Sequence, residues 1–418
     1  MQTITRKLDE LKRPEKNVRV HSDRQIKEYI RSIEMFGQIR PLVIDENNVV
    51  LAGNGLLTAL KQMGRETADC YVVSGLTSKQ KKKLMLVDNK IFELGVNDTG
   101  VFDEISCFSC GGGSSMGYKR AGFEVIGNVE IDKKINEIYK KNLRPKYNFC
   151  MDLRDFNKIE NLPAELYQLD ILDGSPPCTT FSKAGQREKT WGKLKKFREG
   201  QTEQRLDDLF FVWLETVKKL RPKIAIAENV MGLIEGNAKG YVNEIITGFK
   251  AIGYDVQIFR LNAAFMGVPQ LRERIFFIAN NQGYEPLKLN FNGRLIKFGE
   301  VRTAEGKLVT GKLMQKRLSQ ALRTDDNIAQ ITQRTEMKKV CYNTLIYHDD
   351  KVAGTFISNS QYYRYCDRKC LSDGDKINVS TFPQDYDFCG GSVQFICGMC
   401  VPPNMMANLA TEVKSQWL

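Results

Sequence analysis

From residue 101 onward, short apolar runs alternate with amphipathic segments, and this alternation constrains the fold of the 418-residue chain more than any other feature. Strands separated by helix-length stretches pair in parallel through crossover helices, so the expectation is an α/β, doubly wound, Rossmann-like sheet. Candidate strands lie at 104–108, 124–130, 147–151, 170–173, 224–227, 256–261 and 274–279. Helices fit between them, notably at 133–142, 206–220 and 241–252. In such folds ligands bind at the carboxyl ends of the strands.

The residues at those ends carry chemistry. Leu169-Asp-Ile-Leu-Asp-Gly-Ser is an apolar run that stops at Pro176-Pro177, and Cys178 follows. Two prolines end a ladder and hold the next side chain in a stiff turn, which suits a nucleophilic thiol. The bland alternative for Cys178 is a small buried hydrophobe. A second run, Ile224-Ala-Ile-Ala, ends in Glu228-Asn229-Val230, and Gln270-Leu-Arg272-Glu-Arg274 precedes a third run, Ile275-Phe-Phe-Ile-Ala. A thiol, an acid and guanidinium groups at neighbouring strand ends suit thiolate addition to an electron-poor ring such as cytosine, with the acid at a ring nitrogen and a cation at a ring oxygen. For Arg272 and Arg274 the alternative is an ion pair with Glu273 or Glu228.

The first strand ends in Phe108-Ser-Cys110-Gly111-Gly112-Gly113, a loop whose glycines let backbone approach a ligand before a helix begins. Glu130 ends the second strand, where an acid can bind ribose hydroxyls. Met116 stands where a dinucleotide fingerprint needs its third glycine, which disfavours a nicotinamide cofactor. The alternatives are a solvated strand end for Glu130 and a turn residue for Asp152.

The length suggests two or three domains, and 42% hydrophobic residues suffice for packed cores. A net charge of +12, from 62 basic and 50 acidic residues, favours a polyanionic partner without proving one. Basic residues concentrate at 79–83, 189–198 and 294–339, each of which could equally be a solvated helix face. The opening Met-Gln-Thr-Ile-Thr-Arg-Lys carries charge where a signal peptide needs an apolar run, and no stretch reaches the roughly 18 apolar residues of a membrane span. A soluble cytoplasmic protein is the expectation. Eleven cysteines in such a chain argue for free thiols. Cys366, Cys370, Cys397 and Cys400 have zinc-like spacing, but the last two sit in a block where small residues serve packing, and no metal is expected. Cys107-Phe-Ser-Cys110 is better read as small-residue packing than as a redox pair.

Taken in order, these blocks resemble those of a DNA cytosine-5 methyltransferase, from about Asp103 to the C-terminus. Phe108-Ser-Cys110-Gly111-Gly112-Gly113-Ser-Ser-Met-Gly117 is similar to the cofactor loop, and Gly174-Ser175-Pro176-Pro177-Cys178 with Phe181-Ser182 to the catalytic loop. Glu228-Asn229-Val230 and Gln270, Arg272 and Arg274 match the next two blocks, and Gly398-Met399-Cys400-Val401-Pro402-Pro403 the closing one. Two positions depart from the pattern. Cys110 stands at the loop's first glycine, and Met399 replaces an asparagine of the closing block.

The resemblance implies S-adenosylmethionine as cofactor, bound by Phe108 at the adenine, Glu130 at the ribose and Asp152 near the adenine amino group, with Gly112, Gly113, Ile131, Asp132, Leu153 and Pro176 completing the pocket. It implies Cys178 as nucleophile on an extruded base, Glu228 at ring nitrogen 3 and Arg272 at the ring oxygen, with Arg274 and Asn229 ordering the loop. It divides the catalytic unit into 101–280, a target-recognition region at 281–367 and closing motifs at 368–418. The partner is double-stranded DNA, the enzyme is expected to be monomeric, and a cognate restriction endonuclease is a possible second partner. Tyr362, Tyr363, Arg364 and Tyr365 suit base and phosphate contact, or else form an edge strand with ordinary aromatic packing.

Residues 1–97 form a separate unit. Val18-Arg-Val, a helical stretch at 23–36, Gly37-Gln-Ile-Arg40-Pro41 and Gly53-Asn54-Gly55 resemble an α+β ParB/sulfiredoxin-like domain. Leu56 and Leu57 follow the glycine turn where that family often has a phosphate-binding arginine, so DNA docking is expected rather than nuclease action.

Three other readings stay open. An amino methyltransferase needs an aromatic residue after the prolines, where this chain has Cys178. A non-enzymatic DNA-binding regulator would not need the catalytic set. An RNA cytosine methyltransferase is disfavoured by the large basic region after Asn281.

Overall fold

The computed structural model describes residues 3–14, 26, 29–30, 33–34, 38, 41–77, 80–81, 102–177, 208–234, 239–338 and 344–418. Cys178, Phe181, Ser182, the basic run 189–198 and most of the expected helix 23–36 lie outside these residues. The chain divides into two units, Met1–Asp98 and Thr99–Leu418.

The first unit holds a four-stranded sheet of β1 (Thr3–Lys7), β2 (Leu42–Asp45), β3 (Val50–Ala52) and β4 (Thr67–Val73) in the order β1-β4-β2-β3. Only β2 and β4 run parallel. Helix α1 (Asn54–Gln62) follows β3, starting from Gly53 in the left-handed region. Leu57 is fully buried and Leu56 packs against the same core of Leu42, Ile44, Val50 and Leu60. The turn after Gly55 therefore holds apolar packing where a phosphate site would need a cation.

The second unit is built on a seven-stranded sheet of order β10-β11-β9-β8-β5-β6-β7. Its elements are β5 (Asp103–Cys107), α2 (Gly113–Arg120), β6 (Glu124–Val129), α3 (Lys133–Leu143), β7 (Tyr147–Phe149), α4 (Leu153–Lys158), β8 (Ile171–Gly174), α5 (Leu209–Leu220), β9 (Ile224–Val230), α6 (Lys239–Ala251), β10 (Asp255–Asn262) and β11 (Glu273–Asn280). Every expected strand is present within a few residues. The central strands are buried on both faces, which is why they read as continuous apolar runs. On β9, Ala225 and Ala227 face Phe210, Trp213, Val217 and Phe249 of α5 and α6, while Ile224 and Ile226 pack with the second face. That second face is covered by Tyr118 of α2 and by Met405, Met406, Leu409 and Val413 of α11 (the helix Pro403–Trp417), so the end of the chain returns onto the glycine-loop helix.

The expectation of a wholly parallel sheet needs correction. β11 is antiparallel to both β9 and β10. The link from β10 to β11, residues 263–272, holds one 3-10 turn and no crossover helix, and a parallel return needs a dozen or more residues.

Beyond β11 come a helical turn (Phe298–Val301), α7 (Lys312–Ser319), α8 (Ile328–Glu336), the strand pair β12 (Leu345–Tyr347) and β13 (Tyr362–Arg364), α9 (Asp373–Val379) and α10 (Val393–Met399), before α11. The buried Arg364–Asp375 ion pair, at 3.4 Å, spans the division expected at residue 367. Among the described residues no helix is long and apolar enough to cross a membrane.

Candidate active site

The carboxyl ends of β5, β6, β7, β8 and β9 gather Phe108, Glu130, Asp152, Pro176 and Glu228 at one edge of the sheet. Phe108 and Cys110 both lie in the left-handed region, at φ 53° and 46°, on either side of buried Ser109. A non-glycine residue there is strained by about 1–3 kcal/mol. Three buried or half-buried amides hold the loop. Asn128 Nδ2 donates to Ser109 Oγ at 3.2 Å and to Asn136 Oδ1 at 3.0 Å, and Asn148 Nδ2 donates to Asn128 Oδ1 at 2.8 Å. This ladder was not anticipated, although asparagines inside a strand and on the buried face of a helix were its signal.

The glycines serve the protein itself as much as any ligand. A Cβ on Gly113 would overlap the Val401 carbonyl oxygen, and one on Gly112 would overlap Leu143. Tyr386 hydroxyl donates to Gly111 O at 2.7 Å, tying the same loop to the closing segment.

Glu130 is 9% exposed, so it is not a solvated strand end. Its Oε2 accepts from Cys110 N and its Oε1 from Asp132 N, both at 2.9 Å. Burial raises its carboxyl to about 6, against the opposing pull of those backbone donors. Beside it, Ile131 leaves an apolar side chain 40% exposed. Asp132 caps α3 through Lys134 N and Ile135 N, and Asp152 caps α4 through Arg154 N at 2.8 Å. Leu153 is buried in the core, so its side chain has no free surface for a ligand. An acceptor carboxylate at the end of β6 beside an exposed aliphatic face, with half-buried Phe108 on the next strand, fits a nucleoside-bearing cofactor.

On the catalytic side, Glu228 ends β9 and pairs with Arg274, whose Nε lies 2.8 Å from Glu228 Oε1. Both side chains are about one-tenth exposed. The reversal of β11 makes this possible: Phe276 is the register partner of Glu228, and Arg274 lies two residues earlier on the same strand face. Asn229 Nδ2 donates to Pro176 O at 3.1 Å and so holds the Pro-Pro turn immediately before Cys178.

Arg272 does not join them. It is 2% exposed, and its Nη1 donates to Phe356 O at 2.8 Å and its Nη2 to Cys400 O at 3.1 Å, with Gly398 O between. Burial and then the Arg274 charge push it down to about 9. Its Nη–H groups are taken by three buried carbonyls, and its Nε is buried with no hydrogen-bond partner among the described residues, so the guanidinium is committed to the protein interior and the ring-oxygen role expected of Arg272 finds no support in this geometry. Gln270, fully buried, does similar work by accepting from Phe356 N and donating to Val379 O.

The aromatic group is corrected likewise. Tyr362, Tyr363 and Arg364 are 3% exposed or less. Arg364 is committed to Asp375, Asp367 and Thr303 O. Tyr365 lies between the His348 ring at 4.5 Å and the Arg368 guanidinium at 4.0 Å. Tyr362, Tyr363 and Arg364 are core, with no face open to DNA, whereas Tyr365 is partly exposed. Beneath the site lies buried Asp173, whose carboxyl is raised by burial to about 7 while Ser106, Ser114 and Tyr118 donate to it. Its sequence signal was an acid inside an apolar strand. Of the four cysteines with zinc-like spacing, Cys366 is exposed and Cys397 and Cys400 are buried, and among the described residues no metal-ligand cluster forms.

Fold and site define a Rossmann-like methyltransferase with one reversed strand. The profile of the C-5 cytosine-specific DNA methylase family matches residues 102–415, three quarters of the chain, and the protein belongs to that family. The type II methyltransferase M1.HphI of Haemophilus parahaemolyticus is 28% identical over 329 residues, covering 74% of this chain and 86% of that one. M.FnuDI of Fusobacterium nucleatum is 37% identical over 174 residues, covering 42% of this chain and 45% of its own length. Two solved structures share the fold. A DNA modification methyltransferase from an E. coli prophage has a TM-score of 0.55 at 16% identity, covering 75% of this chain and 99% of that one. The Dnmt2 methyltransferase of S. pombe has a TM-score of 0.51 at 14% identity, covering 76% and 100%. The enzyme methylates carbon 5 of cytosine in DNA and depends on S-adenosylmethionine.

Proposed function

We propose that methylation proceeds through a covalent adduct between Cys178 and carbon 6 of an extruded cytosine. The observation that carries the reading is the Glu228–Arg274 pair beside a Pro176 turn anchored by Asn229. A ring carbon cannot be reached inside a stacked duplex, so the base leaves the helix. Cys178 thiolate adds to carbon 6, Glu228 hydrogen-bonds or protonates nitrogen 3, and Arg274 holds the ring oxygen. The electron pair displaced onto the ring makes carbon 5 nucleophilic. Bound S-adenosylmethionine supplies the methyl group. A base then removes the carbon 5 proton, and the carbon–sulfur bond breaks to return the thiolate.

On this reading Phe108, Glu130, Ile131 and Asp152 hold the nucleoside part of the cofactor, with Gly112, Gly113, Asp132 and Pro176 shaping the pocket and Leu153 contributing backbone only. Residues 281–367 select the target, using exposed groups such as Lys312 and Lys316 of α7. The front unit, with its resemblance to ParB/sulfiredoxin-like domains, assists DNA docking. A cognate restriction endonuclease and a monomeric state belong to the same proposal.

The test is transfer of tritium from labelled S-adenosylmethionine to duplex DNA, repeated with Cys178→Ala. Loss of label with cofactor affinity retained supports the assignment, and label on carbon 5 without Cys178 refutes it. Deleting residues 1–98 should weaken DNA binding and flatten its salt dependence; an unchanged slope removes the docking role.

A further inference from the structure

We propose that Trp213 is a positioning residue for methyl transfer, its indole forming the floor on which the strand end before the Pro176-Pro177 turn rests. The inference rests on the reading of Cys178 as the nucleophile. Gly174 is the last residue of β8, and Ser175, Pro176 and Pro177 lead from it to Cys178. A Cβ on Gly174 would overlap Trp213 Nε1 and stand 2.7 Å from Cδ1 and 2.9 Å from Cε2. The five-membered ring of the indole therefore lies directly against the Gly174 backbone. Gly174 has no left-handed φ, so backbone conformation gives no reason for glycine there. The indole supplies the reason, because it fills the space that any side chain at 174 would need.

The floor is rigid. Trp213 is fully buried on α5, with Phe210 at 5.7 Å and Phe249 at 6.0 Å packed edge-to-face with its ring. Beside it, Leu214 meets α6 so closely that a Cβ on Gly248 would stand 2.8 Å from Leu214 Cδ1. In a close-packed interior the ring has nowhere to retreat. Trp213 Nε1 is also buried without a hydrogen-bond partner among the described residues. An unpaired buried N–H is destabilising, so the position is set for shape and not for stability. Such local conflicts gather at functional sites.

Two hydrogen bonds hold the same turn from other directions. Ser175 N donates to Cys107 O of β5 at 3.3 Å, and Asn229 Nδ2 donates to Pro176 O at 3.1 Å. The first is a bond between neighbouring strands and fixes the turn sideways. The indole blocks the remaining movement, toward α5. A shift of about 1 Å in that direction would misplace the thiol against Glu228, at a cost of about 100-fold in rate.

The test mixes full-length enzyme and S-adenosylmethionine with duplex DNA in which every cytosine is 5-fluorocytosine. Fluorine at carbon 5 cannot leave as a proton does, so the bond from sulfur to carbon 6 persists and is counted on a denaturing gel. The amplitude counts competent enzyme, and the rate reports how well the thiol is placed. Trp213→Leu should form the adduct about 10–100-fold more slowly with S-adenosylmethionine affinity, measured by calorimetry, unchanged. Trp213→Phe, which keeps a flat ring, should fall between Trp213→Leu and wild type. Gly174→Ala should also be slow, and adding Trp213→Leu to it should restore part of the rate by making room for the methyl group. A lower amplitude at an unchanged rate, or a double variant no faster than Gly174→Ala alone, overturns the inference. No adduct with the wild type would instead refute Cys178 as nucleophile, and the inference would fall with it.

Discussion

Arg274 Nε stands 2.8 Å from Glu228 Oε1, on a strand that runs against its neighbour, and this pair joins two sequence blocks separated by a whole helix and strand. A guanidinium so placed keeps the acid oriented and leaves other donors for a substrate oxygen. Arg274→Ala should lower kcat/KM for DNA roughly 100-fold, the scale for losing one charge-stabilising donor, and Arg274→Lys should recover part of it. Steady-state kinetics on a defined duplex decides; equal activity for all three would remove Arg274 from the reaction.

Arg272 should behave differently. Its removal leaves the carbonyls of Phe356, Gly398 and Cys400 without their donor. Arg272→Ala is expected to cost about 3–5 kcal/mol of folding stability. Denaturant unfolding measures it. A variant that folds like the wild type yet is inactive would restore Arg272 to substrate binding.

Asn229 acts through the turn. Asn229→Ala frees the Pro176 carbonyl and loosens the approach to Cys178. The expectation is a fall in kcat of about tenfold or more with S-adenosylmethionine affinity unchanged, since one such bond is worth about 1–3 kcal/mol when its partner is left buried. A change in cofactor affinity alone would contradict this role.

Asp173 predicts a pH dependence. Its carboxyl rises from 3.8 to about 7 on folding, so the native state binds a proton that the unfolded chain has released. Its contribution to stability is complete below pH 3.8 and is lost as pH rises through 7. Asp173→Asn removes the loss while its one amide oxygen keeps an acceptor for Ser106 and Ser114, which share one carboxylate oxygen. Relative to wild type, the variant should be more stable at pH 8 than at pH 5 by about 3 kcal/mol, from two units at about 1.4 kcal/mol each. Urea unfolding at the two pH values is the measurement, and parallel curves would show that Asp173 is ionised throughout.

Much of the site was legible in the chain because its signals are local. Apolar runs mark strands wherever they lie, so all seven strands of the large sheet and the acids ending β6 and β9 were readable. The stiff Pro176-Pro177 turn was readable for the same reason. The strand direction was not. Had β11 been parallel, Arg272 and Arg274 would have fallen at the opposite edge from Glu228, so placing them together already required the reversal that the short 263–272 link imposes. Choosing between the two arginines depended on carbonyls more than eighty residues downstream. The same holds for Tyr362, Tyr363 and Arg364, whose composition suggested a DNA-facing surface and whose partners Thr355, Gln361 and Asp375 make them core.

The amino-acid order by itself determined which segments become strands and which reactive side chains end them, because backbone preference and apolar periodicity act over a few residues. Only the tertiary structure decided which of those side chains are spent on the protein and which remain for a substrate. A buried polar group must find a partner, and that partner is supplied by whatever distant segment the packed chain brings alongside it.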